Sequence, residues 1–264
     1  MFLDILRKII MYNPRGMITL FLKEIWRFLK VSIQTVIAPV VTSLLYMLVF
    51  ASVMKEHPPI YIGVEYIEFL IPGLIMMAVL QNAFANSSSS LFQSKQNGSI
   101  TFILLAPLSG FEFFLAYIAS SIVRGLSVGI GVWMVSCFFA VLPVNNILVI
   151  LWFGVIGSGI LGALGLIASI WAVKWDHIAA FQNFIILPLS FLSGVFFSIQ
   201  SLSPFWVRLS FFNPFFYVID GFRFGFLGVS ETFLLLSFVI SGFFFLLVSC
   251  ICIIMLKTGY KLRT

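Results

Sequence analysis

The chain has 264 residues, of which 61% are hydrophobic and 9% are charged, and its formal net charge is +6. The mean hydropathy of +1.15 and this apolar content lie well above the roughly 45–50% apolar content of soluble domains. Composition therefore excludes a soluble globular protein and predicts a membrane protein. The three cysteines lie inside apolar runs, so neither a disulfide framework nor a metal site is predicted.

Residues 1–30 are predicted to form a cytoplasmic and interfacial segment. Within it, the sequence MITLFLKEIWRFLK places Lys23, Arg27 and Lys30 on one helical stripe, with Trp26 and other apolar residues around it. We expect an amphipathic helix that lies in the plane of the lipid headgroups. The sequence leaves open whether this helix is a simple anchor or a lever joined to a cytoplasmic partner.

Six apolar runs follow, each long enough for a helix to cross a bilayer core, which needs about 20 apolar residues. They cover residues 31–54, 69–92, 113–139, 147–173, 178–199 and 233–256. The predicted fold class is an all-α polytopic membrane protein with six transmembrane helices, and the whole chain, 1–264, is one transmembrane domain.

The distribution of positive charge predicts the orientation. With six spans, eleven of the fifteen lysines and arginines fall on the side of the termini and three on the other side. Loops rich in these residues stay in the cytoplasm, so both termini are predicted to be cytoplasmic. The net positive charge is interpreted as a topology signal and an affinity for anionic lipid headgroups, and nucleic acid is not an expected partner.

Small residues recur at regular intervals in two of the predicted spans, and prolines interrupt three others. The third span carries Ser121, Gly125 and Gly129 at intervals of four. A similar stripe in the fourth span consists of Gly154, Ser158, Gly162, Gly165 and Ser169. Small residues let helices approach closely in lipid, and we favour packing within the chain over a subunit interface. The prolines that interrupt other spans are Pro39, Pro72 and Pro188; such bends suit a moving part but also occur in static helices.

Arg124 lies near the middle of the third apolar run. A charge at this depth costs at least a few kcal/mol, so the side chain must face protein or water. Glu112 lies about 18 Å away along a helix, too far for a direct pair. The candidate partners are Asp220, carbonyl groups at helix ends, or an anionic group of a substrate, and structural pairing is favoured.

Residues 200–230 are too apolar for an ordinary loop and too broken for a span. We predict a re-entrant element in the outer leaflet before the last span, which must be buried by protein or line a cavity. Asn213 and Pro214 are predicted to start a helix within it. Asp220 and Arg223 then share one helical face. Their pairing either holds the element in place or forms the outer gate of a translocation path.

Several motifs are absent from the sequence. It has no G-x-x-x-x-G-K-[ST] phosphate loop and no H-E-x-x-H, and no catalytic residue is predicted. No span has an acidic residue at its centre, as the ion relays of secondary transporters usually do. Any energy source is therefore expected to come from another chain.

Three segments together resemble the type-2 family of ABC transporter permeases. They are FLIPGLIMM at 69–77, LLAPLSGFEFFLAY at 104–117 and LSGVFFSIQSLSPFWVRLSFFNPFFYVIDGFRFGFLG at 192–228. The last is the most specific, since it contains Asn-Pro-x-x-Tyr-x-x-Asp-x-x-Arg in the family's order and spacing. The resemblance covers essentially the whole chain.

The resemblance implies the membrane subunit of a bacterial ABC exporter in the inner membrane. Such a subunit acts as a homodimer with two copies of a separate cytoplasmic ATPase, which binds ATP and magnesium, while the permease itself binds no cofactor. The implied substrate is an amphiphile: a drug, a lipid or a lipid-linked glycan. The alternatives are an autonomous secondary carrier or channel and a membrane scaffold that transports nothing.

The resemblance also assigns roles to residues. The segment 92–107 is similar to the coupling helix that docks on the ATPase, with the candidate contacts Lys95, Ile100, Phe102, Ile103 and Leu104. Many relatives have glutamates where this chain has Thr101 and Phe102, so an apolar contact is expected here, with Lys95 adding charge at the rim. The candidate outer-gate residues are Asn213, Pro214, Tyr217, Asp220 and Arg223.

Overall fold

A computed structural model describes residues 13–53 and 64–262, and every regular element in these ranges is helical. The first twelve residues of the predicted interfacial segment lie outside the described residues. The first half of the chain forms α1 (Pro14–Leu29), a π-helical turn (Ile33–Ile37), α2 (Ala38–Val53), α3 (Tyr66–Gln96), α4 (Ile100–Leu105), α5 (Gly110–Ser136) and α6 (Ile147–Trp171). The second half forms α7 (Trp175–Phe181), a second π-helical turn (Gln182–Ile186), α8 (Leu187–Phe191), a 3₁₀ turn (Ile199–Ser201), α9 (Pro204–Phe211), α10 (Pro214–Leu227) and α11 (Leu234–Thr258).

Five helical runs in the described residues are long and apolar enough to cross a membrane. They are Ile33–Val53, α3, α5, α6 and α11. The all-α class and the multi-span character are thereby confirmed. The predicted span 178–199 coincides with α7, the second π turn and α8, a continuous helical run that is shorter than the other five. Its crossing of the bilayer stays a prediction.

The centre of the fold is α3. In its most apolar window 83% of the residues are buried, against 11% for the run Ile33–Val53. Its first half is apolar and its second half is rich in Asn and Ser, so small polar side chains fit between helices without leaving voids. The run Ile33–Val53 therefore presents most of its surface to lipid or to another chain.

Small residues set the distances between α3, α5 and α6. A methyl group added at Gly165 would lie 2.6 Å from the carbonyl oxygen of Phe84. One added at Gly162 would lie 2.9 Å from Cβ of Ser121. Contacts this short leave no room for a side chain, so the small-residue stripes of α5 and α6 pack within the chain, as predicted.

Both π turns precede a proline. The N–H of Ala38, just before Pro39, bonds to the carbonyl five residues earlier, and Leu187 does the same before Pro188. A proline ring clashes with the carbonyl four residues earlier, and the wider turn relieves that clash by adding one residue. Pro72, in contrast, lies inside the continuous helix α3.

Helix α1 packs along the bundle through one face. Asn13 caps it by accepting the N–H of Gly16 at 2.9 Å through its side chain, and the backbone N–H of Asn13 donates to the Glu112 carboxylate at the start of α5. The buried residues of α1 are Leu20, Glu24 and Phe28, spaced four apart. Trp26 lies on another face and is 63% exposed.

Candidate functional site

The buried carboxylate of Asp220, on α10, organises the turn between α10 and α11. It accepts hydrogen bonds from the hydroxyls of Ser230 at 2.7 Å and Thr232 at 2.8 Å. It also accepts the backbone N–H groups of Glu231 at 2.9 Å and Thr232 at 3.3 Å. Four donors converge on one anion, which is how an ionised carboxylate is kept stable away from water.

Arg223, one turn further along α10, is almost fully buried but binds different segments. Its Nε donates to the carbonyl of Phe69 at 3.3 Å, and its Nη2 donates to the carbonyl of Gly194 at 2.6 Å. The guanidinium lies 3.8 Å above the Phe69 ring, a cation–π geometry. Its Nη1 lies 4.0 Å from the carboxylate of Glu231.

The direct pairing expected between Asp220 and Arg223 is therefore wrong. The two side chains are linked through Glu231, whose N–H bonds to Asp220 and whose carboxylate faces Arg223. The same carboxylate accepts the N–H of Ile199 at 2.9 Å. Together these groups, which we call the outer network (Phe69, Gly194, Ile199, Asp220, Arg223 and 230–232), join α3, α10 and the turns before α9 and α11.

The remaining candidate gate residues fix the end of α9 and the start of α10. Asn213 caps α10 by accepting the N–H of Phe215 at 3.0 Å, and Pro214 is its first helical residue, as predicted. The amide of Asn213 also donates to the carbonyl of Leu189 at 2.6 Å, which ties α10 to α8. Tyr217 donates its hydroxyl to the carbonyl of Phe211 at 3.0 Å.

The coupling candidates lie around the short helix α4. Phe102 is 77% exposed and Leu105, which the sequence analysis did not single out, is 76% exposed. Leu104 is also exposed, whereas Ile103 is half-buried and Ile100 is buried. The ridge open to a partner is thus formed by Phe102, Leu104 and Leu105, and Ile100 anchors the helix.

Lys95 is half-buried and lines a cavity beside α4 with Thr101 and Leu104; its place at the rim of an ATPase contact stays a prediction. Its ammonium donates to three carbonyl groups at the C-terminal end of α6 and just beyond it, those of Ser169 at 3.1 Å, Ile170 at 2.9 Å and Ala172 at 3.0 Å. A cation is favoured there because these carbonyls have no helical partner and carry the negative end of the helix dipole. Lys95 therefore joins the end of α3, next to α4, to the end of α6.

The partner of Arg124 is an amide, which the sequence analysis did not consider. Its Nη2 donates to Oδ1 of Asn82 on α3 at 3.3 Å. The residue is 7% exposed, and its Nε has no hydrogen-bond partner in the described part of the chain. Arg124 therefore has a structural partner, as favoured over contact with a substrate, but this contact leaves the Nε donor of the guanidinium unused.

One helical turn from Asn82, a second polar contact joins α1 to α3. Arg27 donates to the side-chain and backbone oxygens of Asn86 at 2.8 and 2.9 Å, and it pairs with Glu24 at 3.0 Å. Asn86 in turn donates to Ser120 on α5 at 3.1 Å. Arg27 thus points into the bundle and not, as its predicted stripe implied, toward the headgroups.

A groove of about 430 Å³ opens between the run Ile33–Val53, the middle of α3 and the segment α7–α8. Its wall carries four side-chain amides, those of Gln34, Gln81, Asn82 and Gln182. Thr42, Ser43 and Tyr46 add hydroxyl groups. A polar wall of this kind in an apolar bundle is unusual, since polar groups within a membrane are costly unless they bind each other, water or a ligand.

The fold and these sites define an integral membrane protein with several spans, a polar groove between them and an apolar ridge beside the spans. Within the described ranges no cluster of His, Cys, Asp or Glu could hold a metal ion. The profile of the ABC-2 type transporter family matches residues 15–227. The chain belongs to this family, and it is an ABC-2 type transport permease.

The similarity extends over nearly the full length of known relatives. The chain is 35% identical over 246 residues to the inner membrane transport permease YadH of Escherichia coli strain K12, covering 93% of this chain and 96% of the relative. The same identity and coverage hold for YadH of Escherichia coli O157:H7 and of Shigella flexneri.

Proposed function

We propose that the chain is the membrane-spanning subunit of an ATP-driven exporter in a bacterial inner membrane. Family membership and the likeness to inner membrane transport permeases support this proposal. The absence of a phosphate-loop motif from the sequence fits a subunit that takes its energy from a separate ATPase. ATP and magnesium would then be bound by that partner.

The proposed topology has six spans. The sixth is the α7–α8 run, which would cross with the help of the turn at 192–198, and residues 200–230 would form a re-entrant outer element held by the outer network. Helix α1 would lie at the cytoplasmic interface. Lys23 and Trp26 on its outer faces support this, because a lysine and a tryptophan are both favoured at the level of the headgroups. Both termini are then cytoplasmic.

The observation that carries the proposal is the exposed apolar ridge on α4. Phe102 and Leu105 are each more than three-quarters exposed at the end of the bundle where Lys95 ties α3 to α6. An exposed ridge of large apolar side chains marks a contact with another protein or with lipid. This ridge follows the polar end of α3, Gln93–Gln96, which favours a protein contact beyond the apolar part of the bundle. A push on α4 from an ATPase would reach the ends of both central helices through the Lys95 ammonium.

We further propose a homodimer with two ATPase copies that exports an amphiphile by alternating access. The low burial of the run Ile33–Val53 supports a second copy against this face. The groove with its amide wall would belong to the translocation path, and the outer network would hold the outer gate closed until the ATPases close. Only a difference in interaction between the two states can drive such a change.

The test is Phe102→Asp in the reconstituted complex with its ATPase. A phenylalanine buries about 150–250 Å². At about 25 cal/mol per Å² the 77% of Phe102 that is exposed would then contribute roughly 3–5 kcal/mol to docking. We expect the variant to weaken ATPase binding about 100-fold or more and to lower both stimulated ATP hydrolysis and export, while the protein stays in the membrane.

Phe138→Asp is the matched control. Phe138 is 88% exposed but follows the opposite end of α5, so this variant should keep ATPase binding. Export that continues unchanged in the Phe102 variant would reject the coupling assignment. Transport by the chain in liposomes without ATP and without a partner would reject the exporter proposal in favour of an autonomous carrier or channel.

A further inference from the structure

The groove between the run Ile33–Val53, α3 and α7–α8 is lined by polar but uncharged side chains among apolar ones. Its polar side chains are amides and hydroxyls, and the residues that line it include no Asp, Glu, Lys or Arg. Amides can donate hydrogen bonds to an anion and can accept them from a neutral headgroup. The lining alone therefore does not decide which ligand fits.

The positive charge of Arg124, behind the groove wall, favours an anionic ligand. Asn82 lines the groove, and its side-chain oxygen is occupied by the Arg124 guanidinium at 3.3 Å. With that oxygen bound by a cation, the amide group of Asn82 is left as a donor toward the groove, apart from its bond to the carbonyl of Ala78 at 3.0 Å. Arg124 itself is 7% exposed, and its Nε has no hydrogen-bond partner among residues 13–53 and 64–262.

The surrounding charges add to this positive character. Arg27 binds Asn86, one turn from Asn82 along α3 and so about 6 Å away. The nearest acid to Arg27 in the described contacts is Glu24, which already contacts both Lys23 at 3.2 Å and Arg27 at 3.0 Å. Two arginines therefore sit along one seam of α3, and one carboxylate is shared between two cations.

We propose that the groove binds an amphiphile with an anionic headgroup, a phosphate or a carboxylate, whose apolar tail lies along the run Ile33–Val53. The headgroup would bond to the amides of Gln81, Asn82 and Gln182, with Arg124 supplying the compensating charge. Arg124 does not line the groove, so it would act on the headgroup through its charge and through the Asn82 amide that it orients. This names the substrate class for the path proposed above and in that respect rests on it.

The test uses the full-length chain in neutral detergent micelles and measures binding by native mass spectrometry. The probes are a short-chain phosphatidic acid, the diacylglycerol with the same tails, and inorganic phosphate. We expect phosphatidic acid to bind at least about tenfold more tightly than diacylglycerol, the size of one charge-assisted hydrogen bond. Inorganic phosphate at equal concentration should not displace it, because the tail contributes to binding.

Arg124→Gln should bring the two lipids to within about twofold of each other, whereas Arg124→Lys, which keeps the charge, should retain most of the preference. Arg208→Gln, at an exposed arginine on α9, is the control and should change nothing. Gln81→Leu alters the groove wall without touching the buried charge and should reduce the preference several-fold. It also provides a test if the Arg124→Gln chain does not fold.

Equal binding of the two lipids to the unmodified chain would overturn the proposal, as would a preference that survives in a folded Arg124→Gln chain. Displacement of phosphatidic acid by equimolar inorganic phosphate would overturn the amphiphile in favour of a free anion. Binding is measured without ATP or partner, so Phe102→Asp should keep the preference. Failure of the exporter proposal and failure of this assignment are therefore distinguishable.

Discussion

Replacing Asp220 with alanine tests whether the outer network holds α10, α11 and the end of α3 together. The substitution removes the acceptor for two hydroxyls and two backbone N–H groups. The Ser230 hydroxyl has one proton and lies 2.7 Å from the carbonyl of Thr232, so it can donate to that carbonyl instead. The Thr232 N–H also lies 3.3 Å from the Ser230 hydroxyl, a weaker acceptor. The N–H of Glu231 loses its bond to Asp220, and with it the contact that holds Glu231 opposite Arg223.

The expected loss in the free energy of unfolding follows from these contacts. A hydrogen bond to a charged group contributes about 1.5–3 kcal/mol, and Asp220 accepts two of them from backbone N–H groups, a shorter one from Glu231 and a longer one from Thr232. Displacement of Glu231 also weakens its 4.0 Å approach to Arg223, and charges attract more strongly in this buried setting than in water. We expect the free energy of unfolding to fall by roughly 3–5 kcal/mol, at the high end for a single substitution.

The measurement is the midpoint of thermal unfolding of the purified chain in detergent, followed by tryptophan fluorescence. Asp176→Asn is the control, because Asp176 is an exposed carboxylate in the first turn of α7 and should change the unfolding free energy by about 1 kcal/mol or less. Asp220→Asn retains an oxygen acceptor and should fall between the two. Equal midpoints for Asp220→Ala and Asp176→Asn would refute the network as a structural element.

Two further predictions concern the helix contacts. Gly165→Ala should destabilise the chain by about 1–3 kcal/mol, because the added methyl group meets the Phe84 carbonyl, an overpacked contact. Gly242→Ala in α11 has nothing within 4 Å and should be neutral or stabilising by up to about 1 kcal/mol; equal effects in thermal unfolding would contradict this packing. Lys95→Met should lower the unfolding free energy by about 1.5–3 kcal/mol through loss of its bonds to the end of α6, whereas Lys174→Met, at an exposed lysine, should stay within about 0.5 kcal/mol. An Lys95→Met chain as stable as the Lys174 variant would show that this tie contributes nothing.

Much of the helical architecture could be predicted because lipid leaves few alternatives. A segment of about 20 apolar residues must satisfy its own backbone, and a helix does so. The runs that became α3, α5, α6 and α11 were therefore located to within a few residues. The Asn213-Pro214 start of α10 was also predictable, since an Asn cap and a proline at the first position are local signals.

The side-chain partners could not be predicted in the same way. Asp220 and Arg223 lie three residues apart, and this spacing suggested a pair. Instead, Asp220 binds residues 230–232 and Arg223 binds the carbonyls of Phe69 and Gly194. Glu231 completes the network, and its only sequence signal was an acidic residue in an otherwise apolar stretch. Contacts of this kind depend on how helices are arranged in space, which local spacing does not specify.

Arg124 and Lys95 illustrate the same limit. The sequence shows that a charge in a span needs a partner, but it offered acids and carbonyls as candidates and not the Asn82 amide on a neighbouring helix. For Lys95 the sequence indicated a surface charge near the coupling segment. Its bonds to the carbonyls of α6 arise because α3 and α6 end side by side, which follows from packing.

The two π turns make the orientation of the groove wall depend on residue count. Each turn adds one residue to an otherwise α-helical run, and one residue corresponds to a rotation of about 100°. Gln34 and Gln182 lie within these turns, on opposite sides of the groove. Deleting a single residue from either turn would restore ordinary α-helical winding but rotate the following helix by about 100°, so a natural homologue lacking that residue would turn a different helix face toward the groove.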